Sequence, residues 1–244
     1  MSDQGFLYCA RGDRWLIEAE RSAASIKAVM PQAAVAIVAD KPMPQHLFDI
    51  QVAPPPGMHV KSLKMWAMRH SPFARTVFID TDTFVCDPVP ELFTILDRFP
   101  LAAAVTPFWT VELQQRGGVS DDDGIPISFP KLNSGLVALR KDAETDAFLD
   151  FWSARHTETG LKQDQQPFRH ALYHTDIRFA VLPMAYNYRL PYPGAIGGGV
   201  KILHGRVPDM AGLAKRVNRT SKWRITAPLN RVARQIWYGV DRTQ

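Results

Sequence analysis

Cysteine is almost missing from this chain of 244 residues, and the two present, Cys9 and Cys86, sit in apolar, strand-like sequence. They read as buried free thiols rather than as a disulfide or a zinc site. Long apolar runs are missing as well. Nothing approaches the ~20 residues that cross a bilayer, and Met1 to Phe6 lacks the basic-then-apolar order of a signal peptide, so a cytosolic protein is expected. Outside the tail the chain also lacks an excess of either charge. Between Asp209 and Gln244 eight Lys/Arg stand against two acids, leaving 21 bases and 22 acids elsewhere, although the whole carries +5. The basicity belongs to the tail, and no nucleic-acid module accompanies it, which argues against nucleic acid as a partner.

What is present fits one large α/β domain, residues 1–208, with a basic appendage, residues 209–244. The hydrophobic content of 46% suffices for an ample core. Gly5 to Ala10 reads as a first strand, and Arg11-Gly12-Asp13 as a turn whose Asp13 caps a helix with Leu16, Ala19, Ala23 and Ile26 on one face. Ala33 to Ala39 is apolar throughout, as in a central parallel strand covered on both faces. Lys61 to His70 follows as a short helix, then a strand over Thr76 to Ile79, a helix over Pro88 to Leu96 capped by Asp87, and strands over 101–105, 131–139, 177–182 and 200–203. Asp142 caps the helix carrying Phe148 and Trp152.

The strand over Thr76 to Ile79 stops at Asp80-Thr81-Asp82. Carboxylates at the carboxyl end of a buried strand are costly unless solvated, paired or bound to a cation, and in open α/β sheets ligands sit at that edge. One reading is therefore a divalent metal site of oxygen ligands, suited to Mn²⁺ or Mg²⁺ shared with substrate phosphates. The other is a turn or helix cap. Asp164 likewise reads as a site residue or as a helix N-cap. The loop from Arg116 to Pro130 reads as a lid, a binding loop or a surface excursion, and its three acids, Asp121 to Asp123, as solvated.

Several signals come in one order: a first strand with a turn, Lys64 ahead of Asp80-Thr-Asp82, Asn133-Ser-Gly135, Asp164-Gln165, and His204-Gly205. Over about residues 5 to 206 this order resembles the GT-A nucleotide-sugar glycosyltransferases, in particular family 8 and its glycogenin-like relatives. The resemblance implies a Rossmann-like, mainly parallel sheet flanked by helices. It implies Asp80, Asp82 and His204 as Mn²⁺ (or Mg²⁺) ligands. It places Lys64, Thr81, Asn133, Gly135 and Gly205 with the two aspartates at the donor, and Ala10, Arg11 and Trp15 near the nucleobase, with a UDP-sugar favoured. Asp164 and Gln165 would face the reacting sugar, with transfer proceeding with retention. The first turn, Cys-Ala-Arg-Gly-Asp, departs from the expected Thr/Asp/Asn-rich form, which leaves the base open, and Gly194 to Gly199 has no counterpart in the pattern.

In the tail, Met210, Leu213, Ala214 and Val217 fall on one helical face, and Leu229, Val232, Ala233, Ile236 and Trp237 repeat the arrangement after Pro228. Two basic amphipathic helices are expected. They serve either an anionic membrane surface, consistent with a peripheral enzyme acting on a glycan or lipid-linked acceptor, or packing on the domain or a second subunit. Two other functions share the motif. A haloacid dehalogenase-type phosphatase also uses Asp-x-Asp after a hydrophobic strand, but near the start of its domain and with Thr or Val where this chain has Phe84. A non-catalytic nucleotide-sugar binding protein would keep the fold without turnover.

Overall fold

The computed structural model describes residues 3–58, 60–106, 124–192, 194–226 and 236–238. In chain order, β1 (Gln4–Ala10), α1 (Asp13–Val29), β2 (Val35–Ala39) and β3 (Ile50–Val52) come first. Then follow α2 (Val60–Arg69), β4 (Arg75–Ile79), β5 (Thr83–Val85), α3 (Glu91–Thr94) and β6 (Leu101–Val105). After β7 (Leu132–Arg140) come α4 (Ala143–Thr159), α5 (Gln165–His174), β8 (Phe179–Leu182), β9 (Tyr188–Arg189), β10 (Gly194–Ile196) and β11 (Ile202–His204). The chain then forms α6 (Met210–Val217), β12 (Arg224–Thr226) and β13 (Ile236–Tyr238).

Seven strands form the main sheet in the order β3-β2-β1-β4-β7-β6-β8. It is parallel except where β7 runs against β4 and β6. The strands are apolar at consecutive positions because both faces are covered. Phe6 and Tyr8 of β1 with Val35, Ile37 and Ala39 of β2 face α1. Leu7, Ala36 and Val38 face the layer carrying α2, α4 and α5, where Phe148, Trp152 and Phe168 pack.

Two small sheets complete the domain, β5-β11-β9 and β10-β12-β13. Met210, Leu213, Ala214 and Val217 of α6 are buried against Tyr188, Leu190, Val200 and Leu203. The apolar face of the first tail helix therefore packs on the domain, and it is not open to a membrane. The second expected tail helix is corrected at its end: Ile236–Tyr238 is a strand paired antiparallel with β12, while 227–235 lie outside the described residues. Gly194–Ile196 also proves to be a strand, paired with β12. Two expected caps change. Gly12, not Asp13, occupies the N-cap of α1. Pro90 occupies that of α3, while Asp87 takes the ammonium of Lys201. Asp142 does cap α4, accepting from the Thr145 amide. The acids Asp121 to Asp123 lie outside the described residues. None of the described helices is long and apolar enough to cross a membrane.

Candidate active site

The site forms where three chain segments meet at one sheet edge. Because β7 is antiparallel to β4, with Ile79 opposite Leu136, the start of β7 lies beside the end of β4. The Asp80 amide donates to the Gly135 carbonyl at 2.8 Å. The third segment is β11, which pairs antiparallel with β5 and sets His204 opposite Thr83. The Gly205 amide donates to the Asp82 carbonyl at 2.9 Å. Gly205 itself has φ 143°, and a Cβ there would press on Leu190, so its part is to turn the chain past the aspartate.

Asp80, Asp82 and His204 each offer a ligand atom, and these atoms lie within 4.8 Å of one another. His204 Nε2 is 3.3 Å from Asp82 Oδ1 and 3.7 Å from Asp80 Oδ2. The group closes directly over Gly135: a Cβ there would stand 2.2 Å from His204 Cε1, 2.6 Å from Asp80 Oδ2 and 2.9 Å from Asn133 Oδ1. The Asn133-Ser-Gly135 turn thus needs glycine because the three side chains converge on its Cα. Two carboxylates and an imidazole, brought within bonding span of one point in a polar cleft, fit a hard or borderline divalent cation.

Burial would push the Asp82 carboxyl up, but the His204 hydrogen bond and charge and the Arg206 guanidinium override it and hold it well below the usual carboxylate range. Arg206 Nη1 lies 2.9 Å from Asp82 Oδ2, and its Nε and Nη2 donate to both oxygens of Glu18 on α1 at 2.8 and 2.9 Å. Behind the aspartates, Lys64 Nζ stands 2.9 Å from Asp164 Oδ2 and 3.2 Å from Asp80 Oδ1. Burial opposes charge on Lys64, yet these carboxylates raise its pKa; in return Lys64 lowers that of Asp164 against desolvation. The Cys9 thiol in the same region is pushed up to about 12 by burial and remains protonated at neutral pH. Cys86 is likewise pushed up to about 12.

The turn carrying Asp80 and Asp82 is held from below by a buried hydroxyl chain. Tyr8 Oη meets Ser22 Oγ at 2.8 Å, Ser22 Oγ meets Thr83 Oγ1 at 2.7 Å, and Thr83 Oγ1 donates to the Asp80 carbonyl at 2.7 Å. Ser25 of α1 accepts the Val85 amide. These serines sit on the helix face whose apolar members were readable, and nothing in their spacing marks them as partners of β5.

A cleft of about 460 Å³ opens over the group. It is lined by Asp80, Asp82 and His204, by Asn133, Ser134, Gly135, Asp164 and Gln165, and by the cations Lys131, Arg189 and Arg206. Gln165 is fixed on both sides, accepting from Asn133 Nδ2 at 3.0 Å and donating to Thr106 Oγ1 at 2.5 Å. Asp164 occupies the N-cap position of α5, but its side chain makes no cap hydrogen bond and turns to Lys64. Of the residues expected at the site, Lys64 touches the cleft through Asp80, Asp164 and the Ser134 hydroxyl, to which it donates at 3.3 Å. Thr81 is buried and donates to Glu18. Ala10 is buried at the end of β1, Arg11 donates to the Met58 carbonyl at 2.7 Å, and neither lines the cleft. Trp15 is exposed beneath the Arg14 guanidinium. Sequence reasoning missed Arg189, Asn187 and Arg206. Only Arg206 left a signal, as a base two residues beyond a strand-end histidine.

No protein-family model matches the sequence, and no curated protein does. Solved structures do match the backbone. The galactosyltransferase LgtC, in complex with donor and acceptor sugar analogues, is 11% identical with a TM-score of 0.58 over 84% of this chain and 87% of that one. Mouse xyloside xylosyltransferase 1 is 14% identical with a TM-score of 0.55 over 84% and 98%. The glycosyltransferase GlyE of Streptococcus pneumoniae TIGR4 is 15% identical with a TM-score of 0.55 over 78% and 48%. The chain has the GT-A fold of these proteins.

Proposed function

We propose that the protein is a metal-dependent glycosyltransferase that moves a sugar from a nucleoside-diphosphate sugar to a glycan or lipid-linked acceptor, with retention at the anomeric carbon. The observation that carries the reading is the convergence of Asp80, Asp82 and His204 over Gly135, at the sheet edge where a GT-A fold takes its donor. In this reaction the bond from the sugar C1 to the diphosphate oxygen breaks, a bond from C1 to the acceptor oxygen forms, and the acceptor proton leaves with the diphosphate. A cation held by the two aspartates and His204, Mn²⁺ in preference to Mg²⁺ because of the imidazole, would neutralise the departing diphosphate.

The chain's own residues supply the rest. Arg189 and Arg206 bring positive charge to the cleft in which the leaving group's charge develops. Lys64, paired with Asp164 and Asp80, keeps the part-buried Asp164 ionised and in place instead of reaching the donor as a free cation. Asp164 and Gln165, both immobilised by hydrogen bonds or ion pairs, would orient the reacting sugar face. A UDP-sugar is the favoured donor, its base against the turn at Ala10 and Arg11. A phosphatase of the haloacid dehalogenase type gains no support from the neighbours named above, each a glycosyltransferase.

Thermal-shift measurement with UDP-, GDP-, ADP- and CDP-sugars, with and without Mn²⁺, tests the donor. A ligand specific to the native state at a hundredfold excess over its Kd stabilises by about 2.7 kcal/mol. Calorimetry of the matching nucleoside diphosphate tests the metal: Mn²⁺ should tighten binding, and Asp82→Ala should abolish that gain. Unchanged binding in Asp82→Ala would remove the metal site.

A further inference from the structure

The orientation of His204 is set by a hydrogen-bond chain that begins at a backbone atom. The Gly135 amide can only donate, and it donates to Asn133 Oδ1 at 3.0 Å. That identifies the Asn133 oxygen, and its Nδ2 accordingly donates to Gln165 Oε1 at 3.0 Å. Asn133 Oδ1 also receives Asn187 Nδ2 at 2.8 Å. Asn187 is thereby left presenting its oxygen, which stands 2.7 Å from His204 Nδ1. A carbonyl oxygen accepts and never donates, so the hydrogen lies on Nδ1.

In the neutral ring with Nδ1 protonated, Nε2 is a bare lone pair, and this atom faces Asp82 Oδ1 and Asp80 Oδ2. A lone pair aimed between two carboxylates is repulsive on its own and becomes attractive only when Nε2 takes up a proton, as in the hydrogen bond to Asp82, or a metal ion in the proton's place. Asn133, Asn187 and His204 are all buried, so water does not replace either amide in this chain.

We propose that Asn187 is a positioning residue for metal capture: its side-chain oxygen locks His204 in the tautomer that offers Nε2 to the cation. The inference rests on the metal reading of Asp80, Asp82 and His204. It adds a residue outside the cleft lining, on the turn between β8 and β9, whose effect on the metal passes through the imidazole. The amide is suited to the place because one end must accept from His204 and the other must donate to Asn133.

The test is Mn²⁺ titration of the full chain by calorimetry, without any sugar nucleotide, so that catalysis does not enter. Loss of such an outer hydrogen bond to a metal-ligating histidine weakens metal by about 10- to 100-fold, the loss expected for Asn187→Leu. Asn187→Asp keeps the acceptor at His204 while giving up the donor to Asn133, and is expected to weaken Mn²⁺ less than Asn187→Leu does; it carries the test where the leucine variant does not fold. In a His204→Ala background, Asn187→Leu should cause no further loss. Nitrogen-15 shifts of the His204 ring in the Mg²⁺-loaded parent should show hydrogen on Nδ1. Parent-like Mn²⁺ affinity in Asn187→Leu, a loss in Asn187→Asp as large as in His204→Ala, or an undiminished effect of Asn187→Leu without His204 would each overturn the inference. A parent protein that binds no Mn²⁺ would instead overturn the metal reading beneath it, so the two failures are distinct.

Discussion

The ammonium of Lys64 lies 2.9 Å from the carboxylate of Asp164, and neither side chain is more than about a quarter exposed, at 12% and 23%. Removing one partner of a buried pair leaves the other charge uncompensated, which costs about 3–5 kcal/mol. Lys64→Met should therefore lower the urea-unfolding free energy by that order at neutral pH. The difference has a defined pH window. Asp164 has a folded pKa below its unfolded one, so its contribution is present above the ordinary carboxylate range near 4 and is lost as pH falls through the folded value. Lys64 has a raised pKa, so its contribution is present below about 10.4 and is lost as pH climbs through the higher folded value. The penalty of Lys64→Met should be a plateau between those limits and shrink in acid. A penalty independent of pH down to pH 2 would assign it to packing instead.

Gly135→Ala should strike binding before stability. Its Cβ falls on the meeting point of His204, Asp80 and Asn133, and overpacking of this kind costs about 1–3 kcal/mol. Separation of the three ligands should remove the Mn²⁺-dependent part of nucleoside-diphosphate affinity, measured by calorimetry, while circular dichroism stays native. Retained Mn²⁺ dependence would mean that the three side chains do not act together.

The parts of this site legible in the sequence are those in which a residue type and its place on an element coincide. Asp80 and Asp82 close a strand, Asn133 to Gly135 open one, and His204 ends one; pattern reading finds strand ends. Asn187, Glu18 and Ser22 are different. Each acts through a partner far away in the chain, Asn187 on Asn133 and His204, Ser22 on Thr83, and no local period records such a pairing. Fold legibility follows the same line. The central strand Val35–Ala39 was readable because burial on both faces demands continuous apolar sequence. Ile236–Tyr238 was read as helix because its spacing suits one, and pairing with β12 decided otherwise.

Arg169, fully buried on α5, holds the described end of the 116–130 loop by donating to the Phe129 carbonyl at 3.0 and 3.2 Å and to the Pro126 carbonyl at 2.8 Å. A hydrogen bond to a charged group contributes about 1.5–3 kcal/mol. Arg169→Met should destabilise by about that much and free the backbone there. Hydrogen exchange should accelerate at residues 124–131 while β1 and β2 remain protected; uniform acceleration would make Arg169 a general core residue instead of a loop anchor.

The tail reading as an anionic-surface contact now rests on exposed charge alone, since the apolar face of α6 is buried in the domain. Lys215, Arg219, Lys222 and Trp223 are exposed on and beyond that helix. Cutting the chain after residue 208 is not a clean test. It would strip Met210, Leu213 and Val217 from Tyr188 and Leu203, and an unfolded remnant would also fail to bind. Charge reversal leaves that packing alone. Each base near an anionic surface contributes about 1 kcal/mol, so Lys215→Glu with Arg219→Glu and Lys222→Glu should weaken partition onto phosphatidylglycerol vesicles at least about a hundredfold. Binding by the parent should also fall as salt is raised, because the attraction is screened within about 10 Å at 0.1 M. Equal partition of parent and triple variant, or parent partition that does not respond to salt, would leave α6 and its flanking residues as a structural cover over β9 and β11.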